Sequence, residues 1–264
     1  MLEVKNIYKT FNKGTINEKH ALNGINLTMN DGDFITVIGG NGAGKSTLLN
    51  AIAGAWFIDS GEILIDGEDI THLPEHKRAA YVGRVFQDPM MGTAATMQIE
   101  ENMALAARRG KKRGLGLGIT KKEREGYREQ LKVLDLGLED RLTAKVGLLS
   151  GGQRQALTLL MAVMNKPKLL LLDEHTAALD PKTAANVLEL SDKFISEGNL
   201  TALMVTHNMK DAIAHGNRLI MMNAGKIILD ISGEDKKKLT VDDLLAEFSK
   251  ASGAEFASDR ALLG

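Results

Sequence analysis

Apolar and polar side chains alternate over residues 2–7 and again over 21–29, which predicts two strands on either side of a polar turn at 12–20. Phe34-Ile-Thr-Val-Ile38 reads as a short buried strand that runs into a glycine-rich loop, and residues 45–54 then take helical spacing. Strand signals return at 62–65, closed by Asp66-Gly67, and at 81–86. Residues 98–134 are predicted to be largely helical, broken over 108–118 by four glycines and restarting at Lys121. After Ser150 a helix runs to about residue 164, followed by a buried strand at 169–172, a helix at 183–197 and a strand at 202–205. Strands at 218–222 and 226–230 flank Asn223-Ala-Gly225 as a hairpin, and an amphipathic tail starts at Val241.

Strands that alternate with helices imply an α/β fold with a mainly parallel core sheet. The helix-rich interval 90–165 has few strand signals and reads as an inserted α-helical subdomain. The predicted organisation is one domain over residues 1–264. Its core comes from 1–89 and 166–240, and residues 241–264 form a C-terminal helical tail. The chain shows no internal repeat.

Composition narrows the partners. The chain has 264 residues, 44% of them hydrophobic and 25% charged, as in a soluble globular protein. Its formal net charge of -1 gives no electrostatic case for nucleic acid. With no cysteine, disulfides and thiolate metal sites are excluded. The apolar helical run 156–165 falls short of the roughly 20 residues a membrane-spanning helix needs. The start, Met1-Leu-Glu-Val-Lys5, lacks a signal-peptide layout, so a soluble chain that stays where it is made is expected.

Gly39-Gly-Asn-Gly-Ala-Gly-Lys-Ser46 fits the phosphate-loop pattern and lies between a strand and a helix, where such a loop must lie. Glycines let backbone N–H groups turn inward around phosphates. The helix that follows aims the positive end of its dipole at the anion. In this setting Lys45 would reach the β- and γ-phosphates, and the Ser46 hydroxyl would ligate Mg²⁺. Leu169-Leu-Leu-Leu-Asp-Glu174 supplies a complementary acidic strand end. Asp173 would hold Mg²⁺ through water, and Glu174 would polarise the attacking water.

Leu149-Ser-Gly-Gly-Gln-Arg-Gln155, shortly before that strand, resembles the signature sequence of ABC ATPases, which few other protein classes use. Ser150 offers an N-cap, Gly151 and Gly152 expose backbone N–H groups, and the helix from Gln153 makes a second anion-binding terminus. The resemblance, which spans about residues 1–230, implies a P-loop NTPase of the ABC cassette type. Such a fold carries an N-terminal antiparallel β subdomain. It also implies ATP and Mg²⁺ as ligands. Leu149, Ser150, Gly151, Gly152 and Gln153 would close over the ATP of a second cassette.

The same resemblance implies nucleotide contacts from Gly39, Gly40, Asn41, Gly42, Ala43, Gly44, Lys45, Ser46 and Thr47, with Phe11 stacking on adenine rather than Tyr8. Gln87 resembles the glutamine that touches Mg²⁺ and senses the transport partner, and His207 resembles the switch histidine. Asp180 belongs to a loop that communicates between the two sites. The implied partners are a second cassette, integral membrane permease subunits and an extracytoplasmic substrate-binding protein, with no nucleic acid. The implied location is the cytoplasmic face of the membrane, reached through the permease.

The chain departs from the family in two places: His175 stands where proline usually follows the glutamate, and residues 156–162 lack the usual arginine. Met90, Met91, Met97 and Met103 follow Gln87 and offer adaptable apolar contacts to a permease helix or fill the helical core. The basic cluster Arg108, Arg109, Lys111, Lys112 and Arg113 reads as a solvated loop or a contact for lipid headgroups. The leading expectation is the ATP-hydrolysing motor of an importer, with motifs most like cassettes paired with tryptophan- or tyrosine-type binding proteins. A soluble ABC ATPase of cluster assembly or repair, and a lipid or peptide exporter motor, are the rivals.

Overall fold

The computed structural model describes residues 1–111 and 118–252. They form two compact units, one from residues 1–78 and the segment from 199 on, the other from 79–198. The first unit begins with β1 (Leu2–Phe11), β2 (Lys19–Met29), β3 (Phe34–Ile38), α1 (Lys45–Ala53), β4 (Ser60–Ile65), β5 (Glu68–Asp69) and α2 (Glu75–Arg78). The second carries β6 (Val82–Val85), α3 (Ile99–Ala107), α4 (Lys121–Lys132), α5 (Gly151–Val163), β7 (Leu169–Asp173) and α6 (Pro181–Gly198). The chain then returns with β8 (Thr201–Val205), α7 (Met209–Ala214), β9 (Arg218–Asn223), β10 (Lys226–Ser232), α8 (Gly233–Lys237) and α9 (Val241–Ser252).

In the first unit an antiparallel sheet runs β2-β1-β4-β5, with Leu2, Val4 and Ile7 of β1 buried on one side. Strands β1 and β2 extend beyond the predicted 2–7 and 21–29, because Thr10 still pairs with His20 and Phe11 with Lys19. Hydrophobic alternation cannot show ladder residues whose side chains face water. A second sheet in this unit runs β10-β9-β3-β8. Strand β3 is parallel to both β8 and β9 and buried throughout, which is why its sequence is apolar without alternation. Strands β9 and β10 form the predicted hairpin around Ala224 and Gly225, both at positive φ (46° and 75°).

Helix α1, which carries the phosphate loop at its start, is closed at its other end by a buried arginine. Arg78, 1% exposed, donates from Nη1 to Ala51 O (2.6 Å) and Ile52 O (2.9 Å), from Nη2 to Thr71 O (2.7 Å) and from Nε to Leu73 O (2.8 Å). A cation is well placed among the last carbonyls of a helix. Burial pushes its guanidinium down to about 10, which leaves it charged at neutral pH.

The second unit has its own core, in which Ile99, Met103, Tyr127, Leu131, Leu142, Leu157 and Leu160 pack together. Strands β6 and β7 run parallel. The compact unit reaches past 90–165 because α5 packs against β6 and α6 as well as against α3 and α4. Helix α4 starts where the restart at Lys121 was expected, fixed by a capping box between Thr120 and Glu123. Arg124 of α4 clamps Glu100 of α3 with two bonds, 2.6 and 2.8 Å.

Candidate nucleotide-binding site

In the first unit the phosphate loop sits between β3 and α1, as its sequence demands. Gly44 caps α1 with φ 104°, a left-handed conformation that glycine alone adopts cheaply, and a Cβ there would lie 2.5 Å from Ala21 O. Lys45 is 5% exposed and folds its ammonium back into the loop, donating to Gly39 O (2.8 Å) and Gly40 O (3.2 Å). Asn41 and Ser46 are exposed, Thr47 is half-buried, and buried Ala43 ties the loop to the β9–β10 hairpin by accepting from Gly225 N (2.9 Å). Lys19 adds a cation that sequence motifs do not mark: its Nζ lies 3.1 Å from where a Cβ of Gly42 would be. A concave loop of N–H groups at a helix N-terminus, with a buried ammonium and a second cation beside it, suits a polyphosphate.

Phe11, at the end of β1, is half-buried. Its ring meets Trp56 edge-on with centroids 5.0 Å apart, and Lys9 Nζ lies 5.6 Å from its centroid. His207 is half-buried between β8 and α7, and Asn208 next to it caps α7 by accepting from Lys210 N (2.9 Å) and Asp211 N (3.3 Å). Helix α7 carries no period in the sequence because it has only six residues.

The second unit holds the acidic and signature residues. Asp173 ends β7 half-buried and accepts from Arg84 Nη2 (3.2 Å), while Arg84 also stacks on Phe86 with 4.4 Å to the ring centroid. Glu174 follows with φ 46°, a left-handed backbone that is uncommon outside glycine. Gln87 is exposed just past β6. Within this unit, Gln87 and Asp173 offer an amide and a carboxylate, oxygen donors of the kind Mg²⁺ takes.

The signature sequence forms the start of α5. Ser150 accepts from Gln153 N (3.2 Å), and Gln153 Oε1 accepts from Ser150 N (3.1 Å), a complete capping box. Gly151 is exposed, whereas a Cβ at Gly152 would overlap Thr183 Cγ2 of α6, so that glycine answers to packing. Leu149 is buried. Asp180 caps α6 by accepting from Thr183 N (3.1 Å), and hydrogen bonds from Thr183 hold its carboxyl below the usual range.

Three residues that the sequence did not single out organise this half. Arg154 is buried and donates from Nη2 to Val146 O (3.3 Å), Gly147 O (3.2 Å) and Leu149 O (3.2 Å), so it supports the signature loop from below. Its Nη1 also meets Met90 Sδ. Gln155 spends both amide hydrogens on Phe86 O (3.0 Å) and His175 O (2.7 Å). Arg84 is the third. Its signal was a charge in the middle of a buried strand, which demands a partner.

The structure bears on two readings that the sequence left open. Met103 is core at 0% exposure and Met97 is half-buried, so only Met90 (46%) and Met91 (68%) are open to a partner. In the basic cluster, Lys112 and Arg113 lie outside the described residues. Arg108 bonds Ala104 O and Glu123 (2.9 Å each), Arg109 bonds Ala162 O (2.8 Å) and Lys111 bonds Asn165 (3.3 Å). Arg108 and Arg109 are half-buried against protein partners, whereas Lys111 stays exposed to solvent. No helix among the described residues is long and apolar enough to cross a membrane.

A family profile described as "ABC transporter" matches residues 22–177. A tyrosine transport ATP-binding protein of Clostridioides difficile is 45% identical over 251 residues, 95% of this chain and all of that one. A spermidine/putrescine import ATP-binding protein of Haemophilus influenzae is 34% identical over all of this chain and 68% of its own length. Among solved structures, a dimeric ATP-binding cassette in a post-hydrolysis state bound to ADP and Pi superposes with a TM-score of 0.75 at 31% identity. The match covers 88% of this chain and 98% of that one.

Proposed function

The chain belongs to the ABC transporter family of ATP-binding cassettes, hydrolyses ATP and serves import, and from that premise we propose how its residues do so and for what cargo. The observation that carries the reading is Lys45, a buried ammonium turned into a glycine loop at the N-terminus of α1. It exchanges the carbonyls of Gly39 and Gly40 for phosphate oxygens when ATP binds. Phe11 stacks on the base. Ser46, Gln87 and Asp173 would hold Mg²⁺, which would neutralise charge on the phosphates. Glu174 takes the proton of the attacking water, and His207 contacts the terminal phosphate.

The signature terminus at Ser150 has no role for a nucleotide held by the same chain's loop, so it serves a second cassette across a two-ATP sandwich. A dimeric cassette is among the structural relatives, which supports this arrangement. Asp180, which caps α6, carries communication between the two sites. Separate permease subunits at the cytoplasmic face receive the motion through Met90 and Met91, and a substrate-binding protein outside the membrane delivers the cargo. The relatives named for spermidine/putrescine and methionine import favour this over cluster assembly, repair or export. The cargo is an aromatic amino acid, a reading that rests on the tyrosine-transport relative.

Lys45→Ala tests the first half. Loss of a charge-assisted phosphate contact costs about 1.5–3 kcal/mol, so ATP affinity drops at least tenfold and hydrolysis is lost. Wild-type turnover in that variant rejects the assignment. For the cargo, the cassette reconstituted with its permease and binding protein shows ATPase stimulation by tyrosine or tryptophan and none by spermidine or methionine.

A further inference from the structure

His175 follows Glu174 directly, and its surroundings give it work. Its side chain is 2% exposed, and Nε2 lies 2.9 Å from Ser191 Oγ of α6. Ser191 Oγ also lies 2.8 Å from Val187 O of its own helix; with its hydroxyl proton on that carbonyl, its oxygen accepts from His175 Nε2. The carbonyl of the same residue accepts from Gln155 Nε2 (2.7 Å), and the other hydrogen of that amide reaches Phe86 O (3.0 Å) at the end of β6. His175 is thus held at both its ring and its main chain.

The residue before it is Glu174, in the left-handed region at φ 46°. That conformation persists only where the surroundings over-determine it. A proline at 175 would push residue 174 toward extended backbone. Histidine leaves the left-handed turn open to Glu174, and the restraint on it must come from hydrogen bonds. We propose that His175 is a positioning residue: anchored to Ser191 and clamped by Gln155, it holds the turned backbone of Glu174 and so aims the carboxylate at the attacking water. Helix α6 and the signature helix α5 both reach the general base through this one residue. The proposal rests on the reading of Glu174 as that base.

The test compares ATP turnover and ATP binding in His175→Ala, His175→Gln, Ser191→Ala and Glu174→Gln. Misaimed catalytic groups lose rate rather than binding. His175→Ala and Ser191→Ala should each lower kcat by roughly 10- to 100-fold, with the Kd for ATP within about twofold of wild type. His175→Gln, whose amide can donate to Ser191 from the place of Nε2, should recover most of the rate. The double variant His175→Ala/Ser191→Ala should be no slower than the worse single one, because both break one linkage. If Glu174→Gln is inactive while His175→Ala and Ser191→Ala turn over normally, the base stands and the positioning role is rejected. The role is equally rejected if the glutamine variant is as slow as the alanine one and ATP binding and melting temperature fall with it, since that is the mark of a structural histidine. Wild-type turnover in Glu174→Gln overturns the base, and the positioning proposal with it.

Discussion

Gly152 separates two meanings of a glycine in one motif. Its neighbour Gly151 meets only Leu179 Cδ2, 3.4 Å from a would-be Cβ, whereas Gly152 has no room beside Thr183. Gly152→Ala should therefore overpack the α5–α6 contact at about 1–3 kcal/mol, lowering Tm by roughly 3–10 °C. Thr183→Ser, which removes the clashing methyl, should restore most of it in a thermal melt. The places of Lys45 in its loop and of Ser150 at the cap of α5 were legible because they are written in residue type and spacing. Arg154 and Gln155 were not. Their partners are main-chain carbonyls of Val146, Gly147, Leu149, Phe86 and His175, and every residue type carries a carbonyl.

At the scale of elements, α9 is the instructive case. Its amphipathic spacing was visible, and the structure gives that face a purpose: Leu244 and Phe248 pack with Ile38, Met209, Leu219 and Met221. Phe248 Cζ lies 3.1 Å from where a Cβ of Gly40 would be, so the helix backs the phosphate loop directly. Phe248→Ala should cost about 3–5 kcal/mol of stability and weaken ATP binding, read by calorimetry and nucleotide titration; unchanged affinity would limit α9 to a stabilising role. A period shows that a helix has an apolar face, never what covers it. Helices α2, α7 and α8 have four, six and five residues and complete fewer than two turns, so no period could announce them.

For the molecule as a whole, the proposed coupling to a membrane partner is tested at the exposed pair Met90 and Met91. Met90 already touches Arg154, so Met91→Asp is the cleaner probe. It should leave basal ATP hydrolysis and Tm unchanged and abolish co-purification of the permease, because an unpaired charge in a packed apolar contact costs several kcal/mol. The ordered motifs made the fold class readable from end to end. The separation into units at 78/79 and 198/199 was hidden, because it follows tertiary packing rather than composition. That arrangement also dictates an order of birth. Strand β3, which delivers the phosphate loop, has both its partners, β8 and β9, in a part of the chain synthesised more than 160 residues later. On a ribosome, residues 79–198 can close their own helical core while Phe34–Ile38 still waits, apolar and open on both edges, for residues 201–223. Such edges invite pairing with other chains. A nascent cassette is thus most exposed to aggregation just before its nucleotide site is complete, and a messenger cut short near codon 198 would release the chain in that state.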